Sequence, residues 1–256
     1  MLGKKFLVSV FAIAEMEVRK LRHNSTELWI RAIQPIFWLV IFGSAMSQVR
    51  EIGYQNFTYL QFITPGVLAQ SVLFIAIFYG ITLVWERDVG LLNKLLATPS
   101  PRTAIVTGKS LAAGVRGIFQ AVTVFLLALV MGVSVRITLE SIFGILLFST
   151  LIAMLFSCFS MFFASFLKTR DRMMGIGQAI TMPLFFASNA IYPINLMPTW
   201  LQIIAICNPL TYAVEGMRAL LLTGDYSTLW LDFFVPILWT IVLISGASIV
   251  LKRIIQ

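Results

Sequence analysis

The sequence predicts an all-α integral membrane protein with six transmembrane helices. Of its 256 residues, 59% are hydrophobic and 12% are charged, whereas soluble domains contain about 45–50% apolar and about 25% charged residues. Several stretches without a charged side chain reach or exceed the roughly 18–20 residues that cross a hydrocarbon core. These stretches cover residues 52–85, 117–135, 141–167, 173–214 and 233–251. An ordinary soluble fold is therefore excluded.

The first 28 residues predict an amphipathic helix that lies in the membrane interface. Apolar side chains recur at spacings of four and three, which places them on one helical face, and basic side chains lie opposite. The apolar set is Leu7, Phe11, Ala14, Val18 and Leu21, and the basic set is Lys4, Arg19 and Lys20. A solvated helix that packs on another subunit is the alternative.

Six segments are the candidate spans. They run over about residues 30–47, 62–85, 117–135, 141–167, 173–192 and 229–251, and the third extends as a helix back towards Lys109. The fourth carries a stripe of small residues that suits close helix packing. This stripe consists of Ser149, Ala153, Ser157 and Ser165.

Prolines decide between six and seven spans. The uncharged stretch 173–214 is long enough for two crossings, but Pro193, Pro198 and Pro209 leave only residues 199–208 uninterrupted, about half of a crossing. The sequence therefore predicts a re-entrant extracytoplasmic hairpin before the last helix. Asn208 followed by proline predicts a helix start, and Gly224 predicts its end, so hairpin and helix occupy residues 193–224.

The distribution of basic residues predicts that both termini are cytoplasmic. With six spans in this orientation, 16 of the 19 lysines and arginines lie inside, and only Arg50, Arg136 and Arg218 lie outside. Short cytoplasmic loops of membrane proteins carry such an excess of positive charge. A seventh crossing would place Lys252 and Arg253 outside. The expected location is the cell inner membrane, with several passes.

Sequence motifs disfavour catalysis within this chain. Residues 108–110 read Gly-Lys-Ser, but Thr103 stands where a phosphate loop needs glycine, so any ATP and magnesium must be bound by another chain. With His23 as the single histidine and Cys158 and Cys207 as the only cysteines, we expect no cofactor, metal site or catalytic residue. Uncharged span centres disfavour ion-coupled transport. Basic residues in short clusters disfavour nucleic acid.

The loop over residues 86–102 carries the most informative pattern outside the spans. Its leucines form an apolar ridge on a short helix that ends before two prolines. The ridge consists of Leu91, Leu92, Leu95 and Leu96, with Lys94 beside it. Such a helix docks into a groove of a cytoplasmic partner or packs beneath its own bundle, and the sequence leaves both open.

Four segments together resemble the permease subunits of type-2 ABC exporters. They are QPIFWLVIFG at residues 34–43, TPG at 64–66, the ERDVG…TPSPR…GK loop at 86–109, and NPLTYAVEGMR at 208–218. The resemblance covers nearly the whole chain in the expected order, with daunorubicin-resistance and nodulation lipooligosaccharide export permeases in particular. It implies one permease domain over residues 1–256, paired with a second permease copy, as a homodimer or with a related partner, and with two copies of a separate ABC ATPase.

The resemblance also implies roles for individual residues. The loop would contact the ATPase together with the N-terminal helix, and ATP-driven closure of the ATPase pair would rock the two bundles to open an outward path. The coupling residues are Glu86, Arg87, Asp88, Gly90, Leu91, Leu92, Lys94 and Leu95. The extracytoplasmic motif comprises Asn208, Pro209, Tyr212, Glu215 and Arg218. There, Glu215 and Arg218 are expected to pair with each other or across the dimer. This pairing, a cap at Asn208 and an interface anchor at Tyr212 are favoured over substrate contacts.

The first, second and fifth spans are expected to line the substrate path, because they carry a few polar side chains. The candidates are Gln34, Ser44, Gln70, Ser71, Gln178 and Asn189, although such groups also bond helices to each other. The expected function is export of an amphipathic, drug-like or lipid-linked compound from the cytoplasm. The alternatives are a polysaccharide or lipooligosaccharide export permease, an ion-coupled secondary transporter, and a membrane scaffold without an ATPase.

Overall fold

The computed structural model describes residues 2–23, 26–43, 45, 57–167 and 169–251, and over these residues the chain is helical without a β-strand. The helices are α1 (Leu2–His23), α2 (Thr26–Phe37), α3 (Tyr59–Asp88), α4 (Leu91–Leu96), α5 (Arg102–Val130), α6 (Leu139–Ala164), α7 (Arg170–Phe186), α8 (Thr199–Cys207), α9 (Pro209–Arg218) and α10 (Leu229–Val250). π-Helical turns extend α2 over Trp38–Gly43 and α9 over Ala219–Thr223, and a 3-10 turn covers Ile194–Leu196.

Four helices in the described part of the chain are long and apolar enough to cross a membrane, namely α3, α5, α6 and α10. The apolar segment Leu28–Gly43, formed by α2 and its π turn, is shorter. α7 is 17 residues long and contains Pro183. An all-helical fold with several candidate spans is therefore confirmed, while Ser44 and the end of the predicted first span lie outside the described residues.

Helix α3 is the centre of the bundle. It packs against α5, α6, α7 and α9, and 23 of its 30 residues are buried. A capping box starts it, because Thr58 Oγ1 accepts from the Gln61 amide at 3.3 Å and Gln61 Oε1 accepts from the Thr58 amide at 2.8 Å. Gly90, with a φ of 75°, turns the chain from the end of α3 into α4.

Small residues bring α6 close to its neighbours. Ser149, Ala153 and Ser157 are fully buried, as the predicted stripe requires. A Cβ added at Gly117 of α5 would lie 2.8 Å from Ala153 Cβ, and one added at Gly80 of α3 would lie 2.4 Å from Ser160 Cβ. The helix backbones therefore approach each other at distances that larger side chains would prevent.

Helix α5 begins at Arg102, seven residues before Lys109, to which the predicted extension of the third span reached, and it ends at Val130 rather than Val135. The prediction followed the uncharged stretch, which stops at Arg116. The helix continues through Lys109 and Arg116 because both side chains are accommodated inside the bundle. Its last turn ends at Gly132, which has a φ of 75°.

Candidate functional site

A buried ion cluster joins helices α1, α3 and α5 and consists of Glu17, Lys20, Glu86 and Lys109. The Lys109 ammonium lies 2.9 Å from Glu17 Oε1 and 2.6 Å from Glu86 Oε2. The Lys20 ammonium lies 2.9 Å from Glu17 Oε1 and 3.0 Å from Glu86 Oε1. Two positive and two negative groups compensate each other, so the cluster carries no net charge.

Burial makes the charges of this cluster strongly dependent on each other. The side chains of Glu17 and Lys109 are each 2% exposed. Burial alone would raise the pKa of Glu17, but the charge and hydrogen bond of Lys109, together with Lys20, lower that pKa from 4.5 to about 2. The stabilisation from Glu17 is therefore present above pH 4.5 and is lost only as the pH falls towards 2. Glu17 is therefore ionised at neutral pH.

Helix α1 packs directly on the backbone of α5. A Cβ added at Gly108 would lie 2.8 Å from the Val10 carbonyl oxygen. The buried face of α1 is shifted from the predicted apolar face, because Ala14 and Leu21 are buried while Leu7 and Phe11 are exposed. Ile13, Glu17 and Val10 complete the buried face instead. The sequence prediction did not include Glu17, although its spacing from Ile13 and Leu21 places it on this face.

The leucine ridge of α4 packs beneath its own bundle, which is the second of the two alternatives left open by the sequence. Leu92 is fully buried in a core with Ile105, and Leu95 and Leu96 pack against that core. The exposed surface beside them is formed by Asp88, Val89, Asn93 and Lys94, and Val89 is 71% exposed. We call these four residues the loop surface.

The first coupling candidates lie at different depths. Glu86 belongs to the ion cluster and is buried. Arg87 pairs with Asp88 at 2.9 Å and donates to the Leu167 carbonyl at 3.2 Å. Glu86 therefore connects the loop to α1 and α5, while the loop surface follows it along the chain.

A second polar cluster lies where α9 meets α3, and we call it the arginine cluster. The Arg218 guanidinium donates to Glu215 Oε2 at 2.6 Å and to the Asn189 carbonyl at 2.7 Å, and it lies 4.1 Å from the centre of the Phe62 ring. Asn189 Nδ2 donates to Glu215 Oε2 at 2.6 Å. Of the two pairings that the sequence left open, within one chain or across the dimer, Glu215 and Arg218 form the one within the chain.

Local hydrogen bonds hold the start of α9 in place. Asn208 Oδ1 accepts from the Leu210 amide at 3.0 Å and its Nδ2 donates to the Leu184 carbonyl at 2.7 Å, while Pro209 occupies the first helical position. This confirms the predicted cap. Tyr212 Oη donates to the Ile206 carbonyl at 2.9 Å and thereby ties α9 to α8.

The path candidates divide between surface and interior. Gln34 and Gln178 are exposed, whereas Gln70 and Ser71 are buried within the bundle. Ser71 Oγ donates to the Leu68 carbonyl at 2.7 Å. Asn189 belongs to the arginine cluster, and Ser44 lies outside the described residues. The described part of the chain also contains no group of three or more acidic, histidine or cysteine residues that could hold a metal ion.

Comparison with known proteins decides the family. Residues 8–222, from α1 to the π turn after α9, match the family described as ABC-2 type transporter. The chain belongs to this family. Permeases of the ABC-2 family normally pair with a separate ABC ATPase that binds the nucleotide. This ABC-2 protein is accordingly a membrane permease subunit of a transporter.

Individual relatives of this ABC-2 permease support the same family assignment. The transport permease ycf38 of Cyanophora paradoxa is 28% identical over 218 residues, which are 84% of this chain and 74% of the relative. The inner membrane transport permease YadH of Escherichia coli strain K12 is 26% identical over 208 residues, 77% of each chain. The daunorubicin resistance ABC transporter permease protein DrrB1 of Streptomyces coeruleorubidus is 27% identical over 207 residues, 78% of this chain and 70% of the relative.

Proposed function

We propose that this permease is the membrane half of an ATP-driven exporter, with six spans and both termini in the cytoplasm of the cell. The segment Leu28–Gly43 and helix α7 add two spans to the four long helices, and α8 with the preceding 3-10 turn forms the re-entrant hairpin. Exposed apolar side chains on the first of these segments support its placement in lipid or against a second permease copy. They include Trp29, Ile30, Ile33, Phe37 and Ile41.

The ion cluster is the observation that supports ATP-coupled transport most directly. It links α1, the end of α3 and α5 by ion pairs with N–O distances of 2.6 to 3.0 Å. The loop surface lies immediately after Glu86 on the same chain segment. A force that an ATPase applies to the loop surface would therefore move three helices together. Within a single domain over residues 1–256, we assign residues 1–28 to the interface helix, 86–102 to the coupling loop and 193–224 to the extracytoplasmic hairpin and helix.

An amphipathic, drug-like or lipid-linked substrate suits the apolar cavities of this protein. One cavity of about 640 Å³ lies between α7 and α8 and is lined by Pro183, Phe186, Trp200 and Ile204, among others. A polysaccharide would require more hydrogen-bonding groups than such walls offer. The name of the relative DrrB1, which refers to daunorubicin resistance, agrees with this preference.

Transport activity tests the proposed function directly. The permease is purified with the ATPase that accompanies it, reconstituted in vesicles, and ATP hydrolysis is measured with lipophilic drugs and with lipid-linked glycans. We expect stimulation by the drugs. Stimulation by glycans alone would favour the polysaccharide class, and failure of any ATPase to accompany the permease under gentle extraction would favour a scaffold.

Charge changes on the loop surface are expected to weaken the ATPase contact. In the double variant Val89→Asp/Lys94→Glu, association of the ATPase should fall about tenfold. The first change introduces a negative charge and the second reverses a positive one, and both oppose docking. Both side chains are exposed, so the thermal unfolding midpoint should stay unchanged. The measurement is the amount of ATPase that co-purifies with the permease.

The exposed Arg172 on α7 provides the control for this experiment, because Arg172→Glu reverses a charge on another helix and leaves the four residues of the loop surface unchanged. This variant should retain the ATPase. Equal retention by the double variant and the control would show that the loop surface is not the contact.

Membrane orientation is tested with single cysteines. Cys207 is exposed, so the background carries Cys207→Ser, and Thr98→Cys or Asp225→Cys is then introduced at an exposed position. With a membrane-impermeant maleimide on intact cells, we expect only the cysteine at position 225 to react. Reaction at position 98 would contradict the six-span orientation.

A further inference from the structure

A cavity of about 340 Å³ lies between the arginine cluster and the start of α10. Its polar wall contains the carboxyl groups of Glu215 and Asp232, and none of the described lysine, arginine or histidine side chains lines it. The remaining wall is apolar or aromatic and includes Tyr212, Trp230 and Leu231. The cavity therefore combines negative charge with apolar surface.

Asp232 is the unusual group of this cavity. The residue is 3% exposed, and its carboxylate receives one hydrogen bond within the described chain, from Thr228 Oγ1 at 3.3 Å. No basic group of the described residues forms an ion pair with it, because Arg218 is directed to Glu215. A buried carboxylate without a cation is costly. Its position in the first turn of α10 offers some compensation through the helix dipole.

Two further oxygens in the wall lack partners. Asn189 Oδ1 and Thr211 Oγ1 are buried and find no hydrogen-bond partner among the described residues. The two residues are 3% and 5% exposed. The orientation of the Asn189 amide is determined by its contact, since only its NH₂ group can donate to Glu215 Oε2. Its oxygen is therefore a buried acceptor without a partner among the described residues.

We propose that this cavity binds an organic cation with an apolar body, such as a lipophilic amine or a quaternary onium compound. Asp232 supplies the charge, since Glu215 is already paired with Arg218. The oxygens of Asn189 and Thr211 supply acceptors, and the rings of Tyr212 and Trp230 supply aromatic surface on which cations bind favourably. The apolar wall does not suit a hydrated metal ion, which needs several oxygen ligands. As a statement about substrate class, this inference rests on the proposed export function.

The test measures binding of radiolabelled tetraphenylphosphonium to the full chain in phosphatidylcholine nanodiscs, without nucleotide or ATPase. The wild-type chain should bind the cation saturably. Asp232→Asn should weaken binding about tenfold or more, the size of one charge-assisted contact. Thr211→Val should weaken it about threefold, the size of one neutral hydrogen bond.

Asp225→Asn is the matched control, because Asp225 is exposed nearby and loses the same charge; it should bind the cation like the wild type. Triphenylphosphine oxide, which is neutral and similar in shape, should not displace the cation. If Asp232→Asn fails to fold, Thr211→Val decides the question alone.

Three results would overturn the inference. They are equal binding by the wild type and the two cavity variants, displacement by the neutral compound, and displacement by calcium or magnesium alone at micromolar concentration. If Asp232 only stabilises the fold, Asp232→Asn should lower the unfolding temperature and leave cation binding unchanged. The binding assay contains no ATPase, so its result is independent of the transport experiment. If the cation binds here but the reconstituted permease shows no transport-linked ATP hydrolysis, the exporter proposal is contradicted and the cavity assignment stays intact.

Discussion

Replacing Lys109 by methionine is expected to destabilise the permease by about 3–5 kcal/mol, the usual cost of removing one partner from a buried ion pair. The change leaves Glu17 and Glu86 with Lys20 alone, so one buried negative charge is uncompensated. Helix α1 should then detach from α5 more readily. The measurements are the thermal unfolding midpoint in detergent and the fraction of monodisperse protein.

Two companion variants separate charge from packing. Lys4→Met makes the same replacement at an exposed position of α1 and should leave the midpoint unchanged. The double variant Lys109→Met/Glu17→Met keeps Lys20 opposite Glu86 and restores neutrality, so it should recover more than half of the loss. A double variant as unstable as Lys109→Met would show that side-chain packing, rather than charge, explains the effect.

Gly66→Ala is expected to lower stability by about 1–3 kcal/mol through overpacking. A Cβ at this position of α3 would lie 2.2 Å from the Ala190 carbonyl oxygen and 2.8 Å from Ala190 Cα. These are backbone atoms, so no rotamer change relieves the collision. The neighbouring Asn189 would move with them and loosen its contacts with Arg218 and Glu215. The unfolding midpoint measures this loss.

Gly246→Ala is the control for the steric effect. Its Cβ would lie 3.5 Å from the Phe162 ring, which is an ordinary contact, and alanine is favoured over glycine inside a helix by about 0.5–1 kcal/mol. This variant of α10 should therefore be as stable as the wild type or more stable. A similar loss in both glycine variants would indicate a general requirement for glycine in these helices, and not the approach of α3 to Ala190.

The long helices could be predicted because charge marks their ends. The second span was expected over about residues 62–85 and the last over about 229–251, and α3 and α10 run over Tyr59–Asp88 and Leu229–Val250. For the third span, the predicted helical extension reached back to Lys109, and α5 begins seven residues earlier, at Arg102. Lys109 looks like a cytoplasmic flank in the sequence, but its partner Glu17 lies 92 residues away on α1. No local pattern connects two such positions.

The candidate sites were predictable only where the contacts are local. The Asn208 cap and the Glu215–Arg218 pair involve residues two and three positions apart, so spacing alone indicates them. The direction of the leucine ridge depends on the packing of Leu92 against Ile105 of α5. The cavity beside Asp232 depends on how α8, α9 and α10 meet. A single aspartate in a first helical turn usually indicates a helix start and gives no sign of such a cavity.

Helix α3 connects the arginine cluster, near its beginning, with the ion cluster, near its end. Phe62 lies beneath the Arg218 guanidinium near its beginning, and Glu86 contacts Lys109 near its end. These positions are 24 residues apart, which corresponds to about 36 Å along a helix axis. Proline occurs in this helix only at Pro65, in its second turn. In the proposed exporter, a push on the cytoplasmic end of α3 is therefore expected to displace its extracytoplasmic end as well.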